Sequence, residues 1–364
     1  MVEGISFVVC TRNGAPRLPA TLAHLAATRF RDDVSREVLI VDNASTDDTC
    51  EVARKALSGH PDLPLRIVHE PVPGTGFARV RGLREAAYDY VTFVDDDNWL
   101  VPDFGQIAFD LMQSDASIGL LPARSEAVFA APKPRWFDAC QAAFAVGEQF
   151  THEGDVSREH AHWWTAGLTL RRAAWQDLVD QDFRPRIRGR DGQSLGAGED
   201  TEMCLALLLA GWRAHYDARL MFRHWMPADR LTWEYACRLT YQGQAPIPAI
   251  SAYRRVLSER HGTVSGRLLA VSSSWPLAMA RQLGRAALRA PRIGYRMIRV
   301  SQVDGSVLLM LSLLGTLAAT ARFGGRYNDL VSEIRTASWL GRGPERVARS
   351  EERHSETASQ GSAD

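Results

Sequence analysis

One stretch decides the fold of this chain, and it reads Tyr90-Val91-Thr92-Phe93-Val94-Asp95-Asp96-Asp97-Asn98-Trp99-Leu100. Each of its first five residues is either β-branched or aromatic, and together they predict a short buried strand. Three consecutive carboxylates follow, and their mutual repulsion would weaken a fold that gained nothing from them. A cation such as Mg²⁺ or Mn²⁺ removes that conflict, because it prefers oxygen ligands and bridges carboxylates to phosphate oxygens. The stretch therefore predicts a strand that ends at a metal site.

The geometry of a strand constrains the three carboxylates further. Alternate side chains share a face, so we expect Asp95 and Asp97 on one side and Asp96 on the other if the chain stays extended. The arrangement is then Asp-x-Asp in function, at the carboxyl end of a strand, where open α/β sheets bind ligands. The alternative is an acidic surface turn that Asn98 closes and in which Asp97 caps a helix.

Composition is that of an ordinary soluble globular protein. The chain has 364 residues, of which 45% are apolar and 24% charged, with a formal net charge of zero. This length allows one large domain or two modest ones. Five scattered cysteines without Cys-x-x-Cys spacing argue against a disulfide framework or a zinc site and favour a reducing cytoplasm. Residues 1–10 lack a basic start followed by a long apolar run, so we expect no secretory signal.

Strand and helix patterns alternate along the first third of the chain. Apolar runs predict strands at 5–10, 38–41 and 65–68, before the strand of residues 90–94. Helices are predicted between successive strands, at 16–28, at 49–57 and from residue 74 onward. Such alternation indicates a parallel α/β sheet. The polar segments Thr11–Asn13 and Asp42–Asp48 are simple turns when each is taken alone. Together they put polar groups along one sheet edge, where a nucleotide would lie.

Four segments, in this order and approximate spacing, resemble family 2 glycosyltransferases. They are Val8-Val9-Cys10-Thr11-Arg12-Asn13, Ile40-Val41-Asp42-Asn43-Ala44-Ser45-Thr46-Asp47, Ala78-Arg79-Val80-Arg81-Gly82 and Phe93-Val94-Asp95-Asp96-Asp97. The resemblance covers about residues 4–228 and implies the GT-A fold and inverting sugar transfer from a nucleotide-sugar. One departure is that Val80 stands where the family often has Asn, so an amide contact is lost there.

The resemblance also implies roles for particular side chains. The donor is a nucleotide-diphosphate sugar, and the expected donor-binding residues are Thr11, Arg12, Asp42, Arg79, Asp95 and Asp96. Asp42 would accept a hydrogen bond from a uracil-like N–H, Arg79 would lie beside base or phosphate, and Asp95 would approach the ribose. The cofactor is a divalent cation, Mn²⁺ or Mg²⁺, with Asp97, Asp95 and His224 as its ligands. A lone His on a strand is otherwise a satisfied core or surface residue, and both interpretations of His224 stay open.

The acceptor side is expected in the middle of the chain. Residues 163–172 predict a strand with Gly167 in it, and in the family such a strand lines the acceptor site. By the resemblance, Trp164, Gly167 and Glu199 belong to this side. Trp164 stacks on a sugar or packs in the core, and the sequence leaves both open. Residues 184–198 are rich in Arg and Gly and predict a mobile loop.

Asp200 begins an apolar helical run after this loop. A carboxylate at a helix start is explained by interaction with the helix dipole alone. The sequence Gly198-Glu199-Asp200 nevertheless matches the Glu-Asp pair of the family, in which the Asp is the general base. The resemblance therefore assigns that role to Asp200.

Helical patterns replace the alternation after residue 228. We predict a catalytic domain at 1–228, a helical region at 229–345 and a disordered tail at 346–364. A basic helical face precedes the uncharged segment 305–321, and it consists of Arg281, Arg285, Arg289, Arg292, Arg296 and Arg299. Two interpretations stay open for this region, namely docking on an anionic membrane surface and a solvated face on a helical appendage. Nucleic acid is not expected as a partner, because aromatic residues are sparse there.

The function predicted from the sequence is metal-assisted, inverting transfer of one sugar to an acceptor hydroxyl, in the cytoplasm or on the inner face of the plasma membrane. The chain lacks the Gln-x-x-Arg-Trp motif of processive enzymes, which favours single addition. The acceptor stays open between a glycan, a lipid-linked sugar and a small molecule. One alternative is a nucleotidyltransferase, although Arg12-Asn13-Gly14 has little of the Gly-rich, basic phosphate-binding loop expected after the first strand of such an enzyme. The other is a non-catalytic nucleotide-sugar-binding protein.

Overall fold

The computed structural model describes residues 2–159, 163–190, 195–261, 280, 283–284, 288 and 303–349. Its strands are β1 (Val2–Thr11), β2 (Arg36–Asp42), β3 (Leu65–His69), β4 (Tyr88–Asp95), β5 (Asn98–Leu100), β6 (Ile118–Leu121), β7 (Arg124–Phe129), β8 (Gly154–Asp155), β9 (Thr169–Arg171), β10 (Arg213–Tyr216) and β11 (Met221–Met226). Its α-helices are α1 (Leu18–Ala26), α2 (Thr49–Leu57), α3 (Thr75–Glu85), α4 (Phe104–Ser114), α5 (Arg172–Asp180), α6 (Glu199–Leu209), α7 (Trp233–Gln242), α8 (Ile247–Arg260), α9 (Val303–Phe323) and α10 (Arg326–Arg335).

The strands form one large sheet and one small sheet. The large sheet has the order β3-β2-β1-β4-β9-β6-β10-β8, and the small sheet has the order β5-β11-β7. β1 pairs in parallel with β2 and β4, and β2 pairs in parallel with β3. β9 is antiparallel to both β4 and β6, whereas β6 and β10 are parallel. The predicted α/β class with a mostly parallel sheet is confirmed, and the carboxyl ends of β1, β2 and β4 share one edge.

Helices cover both faces of the sheet because its central strands are apolar on both sides. In β1, Phe7 and Val9 belong to one core cluster and Val8 to another, as the alternation of side chains requires. α3 lies very close to the Val8 face. A Cβ atom on Gly82 would lie 2.4 Å from Val8 Cγ1, so only glycine permits this approach.

Of the three carboxylates, only Asp95 lies in an extended strand, while Asp96 and Asp97 lie in a turn. β4 ends at Asp95, the chain turns through Asp96 and Asp97, and β5 begins at Asn98. Asn98 Oδ1 accepts a hydrogen bond of 3.2 Å from the backbone N–H of Asp95. The condition of the expectation for Asp96, an extended chain, is therefore not met. The turn is also not a surface turn, since Asp96 and Asp97 are buried.

The strand predicted at 163–172 is shorter than expected. Regular strand structure covers only Thr169–Arg171, and α5 begins at the next residue. Gly167 has a positive φ of +70°, a conformation that turns the chain. Its N–H donates to the carbonyl of Phe93, and the N–H of Leu168 donates to Thr165. The segment before β9 is therefore a buried turn beside β4.

The predicted helical region after residue 228 is present and packs on the sheet domain. Ile250 and Tyr253 of α8 belong to the same core cluster as α6, and so do Leu330 and Ile334 of α10. A Cβ on Gly315 of α9 would lie 2.5 Å from the carbonyl oxygen of Tyr241, so glycine lets α9 approach α7 closely. The proposed boundaries at 228 and 345 stay predictions.

Some predicted features lie outside the described residues. They are the six-arginine face between Arg281 and Arg299, residues 191–194 of the predicted mobile loop, and residues 350–364 of the predicted tail. α9 is described, and its segment Gly305–Phe323 has the length and apolar composition of a membrane-spanning helix, with 28% of that apolar window buried. Length and composition alone do not separate an interfacial helix from a packed one.

Candidate active site

A cavity of about 230 Å³ lies at the carboxyl ends of β1 and β4. Two groups of residues line it, and we name them by their place in the chain. The amino-terminal wall consists of Arg12, Arg79, Asp95, Asp96 and Asp97, and the carboxyl-terminal wall consists of Trp164, Thr165, Arg190, Glu199, Asp200, His224 and Arg230. The turn after β4 and the start of α6 therefore meet across one cavity.

Asp96 is held by side chains of the first strand and helix. Arg17 donates through Nε to Oδ1 at 2.8 Å and through Nη2 to Oδ2 at 2.7 Å, a bidentate pair. Thr11 donates its hydroxyl to Oδ2 at 2.6 Å, and Thr21 donates to the backbone carbonyl. Both carboxylate oxygens of Asp96 are thus occupied, so its main effect is to fix the turn.

Asp97 is surrounded by groups that favour its charged form. His224 Nε2 lies 3.3 Å from Oδ1, and Arg230 Nη1 lies 2.9 Å from Oδ2. Asn98 Nδ2 donates to Oδ1 at 3.2 Å. Burial alone would raise the pKa of Asp97, but His224 and Arg230 outweigh it and lower the pKa. The carboxylate therefore stays ionised although its residue is 3% exposed.

Asp97 and His224 have the donor chemistry that a divalent cation needs. Carboxylate oxygen and imidazole nitrogen both ligate Mn²⁺. Two ligands about 2.1 Å from one ion and at right angles to each other are about 3 Å apart, which is near the 3.3 Å between Asp97 Oδ1 and His224 Nε2. His224 Nδ1 is buried and has no hydrogen-bond partner among the described residues. Two protein ligands suffice where substrate phosphates complete the shell.

Asp95 does not join this pair. Its Oδ1 lies 3.7 Å from Arg79 Nη2, and Arg79 also forms an ion pair with Glu199. Within the described ranges, three potential ligand atoms come within 4.8 Å of one another only at Asp42, Cys50 and His69. Asp95 therefore takes part in an ionic chain that crosses the cavity to the carboxyl-terminal wall.

Glu199 and Asp200 are neighbours in α6 whose pKa values move in opposite directions. Thr75 donates its hydroxyl to Glu199 Oε1 at 2.5 Å, and the N–H of Gly198 donates to Oε2 at 2.9 Å. Burial alone would raise the pKa of Glu199, but Arg79 and the bond from Thr75 lower it. Burial, and then the charge of Glu199, raise the pKa of Asp200 to about 7. The surroundings thus favour the charged form of Glu199, whereas they favour protonation of Asp200 up to a pH of about 7.

Polar atoms without protein partners lie next to Asp200. Trp164 Nε1, Thr165 Oγ1 and Arg190 Nε are buried and find no hydrogen-bond partner within the described part of the chain. Trp164 is 8% exposed and Thr165 1% exposed. A buried donor without a partner costs free energy, so a ligand that supplies acceptor oxygens would be favoured here.

Three residues predicted for the site lie away from this cavity. Thr11 and Asp42 end neighbouring strands and are paired in the sheet register, while Asp42 Oδ2 lies 3.0 Å from His69 Nδ1 and Oδ1 accepts from the N–H of Ser45. They form a second polar site at the same sheet edge. Gly167 is enclosed, since a Cβ there would lie 2.8 Å from Phe222 and 2.9 Å from Ala123. It supports the turn behind Trp164 and does not line the cavity.

The fold and the cavity agree with comparisons with known proteins. Residues 6–179 match the model of the family described as Glycosyl transferase family 2. This segment is a family 2 glycosyltransferase domain. The segment therefore belongs to a family of transferases, and the resemblance seen in its motifs is confirmed.

Two curated relatives share parts of this domain. The uncharacterized glycosyltransferase YibD of Escherichia coli (strain K12) is 35% identical over 66 residues, which are 18% of this chain and 19% of YibD. The poly-β-1,6-N-acetyl-D-glucosamine synthase of Staphylococcus aureus (strain COL) is 24% identical over 118 residues, which are 32% of this chain and 27% of that enzyme. The matches thus span about a fifth to a quarter of these relatives.

A solved structure supports the GT-A fold over most of the chain. The mannosyltransferase PcManGT from Pyrobaculum calidifontis, in complex with GDP-Man and Mn²⁺, has a TM-score of 0.50 and 21% identity, with 86% of this chain and 88% of that chain covered. The family match itself ends at residue 179, before Asp200 and His224. Their roles therefore depend on the geometry of the cavity.

Sequence reasoning missed three residues of the site. Arg17 and Arg230 neutralise Asp96 and Asp97, and Thr75 holds Glu199. Arg17 follows a strand end and Thr75 opens a helix next to Gly74, so their positions gave a weak signal. Arg230 gave none, because its contact arises from the reversal of the chain after β11.

Proposed function

We propose that this protein transfers one sugar from a nucleoside-diphosphate sugar to an acceptor hydroxyl, with inversion and with the help of Mn²⁺ or Mg²⁺. The observation that carries the proposal is that Asp97 and Asp200 line one cavity. A pair of cation ligands on one side and a carboxyl group that titrates near neutrality on the other suit a displacement between them. The bound GDP-Man and Mn²⁺ of PcManGT are consistent with this donor class and this cation.

The donor would lie along the edge formed by β1, β2 and β4. Thr11 and Asp42 are proposed to bind the base, because they end adjacent strands beside the cavity. Asp95 is proposed to bind the ribose, and Arg12 and Arg79 lie where they can neutralise the phosphates. Arg17 forms an ion pair with Asp96, and this pair fixes the turn that places Asp95 and Asp97.

Asp200 is proposed to act as the general base. Its carboxylate takes the proton from the acceptor hydroxyl while the hydroxyl oxygen forms a bond to the anomeric carbon. The bond between that carbon and the diphosphate oxygen breaks, and the electron pair leaves with the nucleoside diphosphate. Attack and departure occur on opposite faces of the sugar, so the configuration inverts. A base with a pKa near the working pH suits this transfer, and the pKa of Asp200 is raised to about 7.

Asp97 and His224 are the residues that would hold the cation. A bound divalent cation supplies Lewis-acid stabilisation of the charge that grows on the diphosphate. Arg230 forms an ion pair with Asp97 and lines the same cavity, so it can contribute positive charge beside the leaving group. His224 Nε2 faces Asp97, whereas its Nδ1 has no partner among the described residues.

Hydrolysis of candidate donors without acceptor tests the proposal. Full-length protein is incubated with UDP-, GDP- and dTDP-sugars and Mn²⁺, and the released nucleotide is identified. A nucleoside diphosphate product supports sugar transfer. Formation of nucleoside triphosphate and sugar 1-phosphate from the same donors, on addition of pyrophosphate, would indicate the nucleotidyltransferase alternative instead. Saturable donor binding without any product, in the presence of a panel of acceptors, would indicate the non-catalytic alternative.

Single-sugar addition in the cytoplasm completes the proposal. The chain lacks the Gln-x-x-Arg-Trp motif of processive enzymes. All five cysteines lie in the described residues, and no two of them form a disulfide bond there. Contact of the C-terminal helices with the inner face of the plasma membrane is part of this proposal, because α9 is long and apolar.

A further inference from the structure

A second cavity, of about 390 Å³, adjoins the catalytic cavity. The two share Trp164, Arg190 and Asp200 among their lining residues. We call this second space the apolar cavity, because aliphatic and aromatic side chains form most of its lining. Its polar lining residues include Arg190 and Asp200 at the end shared with the catalytic cavity, and Thr240, Gln244 and Ser312 elsewhere. The proposed general base thus stands where a polar site opens into an apolar one.

The walls of the apolar cavity come from the helical part of the chain. Leu239 of α7 and Ile250 of α8 line one side, and α9 supplies Gly305, Leu308 and Leu309. These α9 positions, with Ser312, follow the spacing of one helix face. α9 is held in this position by its close approach to α7 at Gly315 and by a bond of 3.1 Å between Thr316 and Gln244.

The other faces of α9 are also apolar and face outward. Leu314 is 48% exposed, and only 28% of the apolar window of the helix is buried. α9 therefore has one apolar face toward the apolar cavity and another on the outside of the protein, where it suits contact with a hydrophobic surface. This arrangement suits a ligand whose hydrocarbon part comes from a membrane and whose polar part reaches Asp200.

We propose that the apolar cavity binds the hydrocarbon chain of an amphipathic acceptor, whose hydroxyl lies beside Asp200 in the catalytic cavity. The inference rests on the proposed sugar transfer and names its acceptor class, an alcohol or glycoside that carries a long alkyl or prenyl chain. At the shared end, the buried Nε1 of Trp164 finds no hydrogen-bond partner among the described residues. It donates to an oxygen of the acceptor headgroup, while the chain extends between α7, α8 and α9.

A fluorescent fatty-chain probe tests the inference without requiring turnover. Full-length protein is titrated with dansylaminoundecanoic acid below its micelle concentration, and the bound probe is displaced with decanol or butanol. We expect the probe to bind saturably and to be displaced by decanol but not by butanol, because each additional buried methylene contributes about 0.8 kcal/mol. Equal displacement by the two alcohols, or no saturable binding, would overturn the proposal.

Two arginine substitutions on the same helix separate the cavity from the outer surface. Leu309→Arg puts a charge into the apolar cavity, whereas Leu314→Arg puts the same charge on the outer face of α9. We expect probe affinity to fall about tenfold or more in L309R, since this corresponds to the loss of about two buried methylenes, and to stay within about twofold in L314R. Equal losses in both variants would place the probe on the outer face and contradict the inference.

A cavity-filling variant guards against a folding defect in L309R. Ala142 is exposed and lines the apolar cavity but not the catalytic one. Ala142→Trp should therefore fold normally, keep donor hydrolysis and lose probe binding by a similar factor. Unchanged probe binding in A142W, with the thermal unfolding of the wild type, would count against the cavity as the site.

The outcomes also separate this inference from the proposed function. Donor hydrolysis to a nucleoside diphosphate with no chain-length effect on probe displacement would leave sugar transfer intact and refute the amphipathic acceptor. Chain-dependent probe binding without any donor binding would support the apolar cavity and refute sugar transfer. Both activities in the wild type, with probe binding alone lost in A142W, is the result we expect.

Discussion

The two walls of the catalytic cavity hold their carboxylates differently. On the amino-terminal wall, Asp96 and Asp97 each form an ion pair with an arginine, Arg17 or Arg230. On the carboxyl-terminal wall, Asp200 accepts a hydrogen bond of 2.7 Å from the N–H of Thr201, and no arginine or lysine among the described residues is within ion-pair distance of it. His224 and Arg230 lower the pKa of Asp97, and Arg17 opposes the burial that raises the pKa of Asp96. Asp200 has no such arginine partner in the described part of the chain, and burial together with the charge of Glu199 raises its pKa to about 7.

This difference divides the work of the site. Fixed charges suit the binding of a cation and of phosphates, which need the same field at every step. A group that titrates near neutrality suits proton transfer, which needs both protonation states. Glu199 shows that position alone does not decide the role, because Arg79 and Thr75 make it a fixed charge next to Asp200.

The strongest test of the division is removal of the proton acceptor. Asp200→Asn keeps the shape of the side chain but cannot accept a proton, so we expect kcat to fall about 10²–10⁴-fold, or about 3–5 kcal/mol of barrier. Donor affinity, measured by calorimetry, should stay within about twofold, since the donor-binding residues are unchanged. A loss confined to donor affinity would show that Asp200 binds the donor and would contradict its role as base.

The pH dependence of the wild type tests the same assignment. Because the pKa of Asp200 is raised to about 7, the active carboxylate form is lost as the pH falls through that value. We expect kcat/KM to fall about tenfold per pH unit below it. Steady-state kcat/KM values measured from pH 5 to pH 9, a range that ordinary buffers cover, test this expectation. A profile that is flat over this range would be inconsistent with a base of this pKa.

The next test compares two neighbouring carboxylates of the amino-terminal wall. Asp97→Asn removes a charged ligand oxygen beside His224, so we expect Mn²⁺-dependent donor affinity to fall about tenfold or more. Asp96→Asn is the matched control, since its carboxylate is occupied by Arg17 and Thr11. It should lower stability and leave the dependence on Mn²⁺ unchanged. Calorimetric titration with and without chelator measures both.

Equal losses of Mn²⁺-dependent donor affinity in D97N and D96N would contradict the different roles assigned to these two carboxylates. If Mn²⁺ dependence is kept in D97N and lost in D96N, the cation is held by Asp96, and Arg17 must move when it binds. If neither variant changes the dependence, Asp97 is a partner of Arg230 and not a metal ligand. Thermal unfolding of both variants, without ligand, separates loss of binding from loss of fold.

The sequence predicted the amino-terminal wall better than the carboxyl-terminal wall, for a physical reason. Asp95–Asp97 follow a strand whose apolar pattern is local, so the strand end could be placed without knowledge of the rest of the fold. The predicted helix at 49–57 agrees with Thr49–Leu57 for the same reason. The turn at Asp96 was expected only in the alternative interpretation, as a surface turn that Asn98 closes. Asn98 does supply the closing bond, but the turn is buried.

The partners of these carboxylates depend on contacts between distant segments. Arg230 meets Asp97 across 133 residues of sequence, and no periodic pattern encodes that contact. The apolar cavity likewise needs α6, α7, α8 and α9 together. Hydrophobic periodicity predicted that the C-terminal region is helical, but not which helix faces line a cavity, because several faces of α9 are apolar.

Two glycines test whether the two parts of the molecule are packed independently. Gly82→Ala brings a methyl group against Val8 in the sheet domain, and we expect a loss of about 1–3 kcal/mol of unfolding free energy. Gly315→Ala brings one against the backbone carbonyl oxygen of Tyr241 between α7 and α9, and we expect a comparable loss because a backbone atom cannot rotate away. G315A should weaken binding of the fatty-chain probe and spare donor binding, whereas G82A should spare probe binding. Urea denaturation measures the stabilities.

The smallest expected effect concerns a contact that joins the two regions near the end of the chain. Arg346 donates through Nε to Asp177 Oδ1 at 2.9 Å and through Nη2 to Oδ2 at 2.7 Å. A bidentate pair of this kind, partly shielded from water, contributes about 1 kcal/mol. Residue 346 is also where we predicted the disordered tail to begin, so a double-mutant cycle with Asp177→Asn and Arg346→Gln tests that boundary. A coupling of about 1 kcal/mol moves the start of the tail beyond residue 346, whereas no coupling supports the predicted boundary.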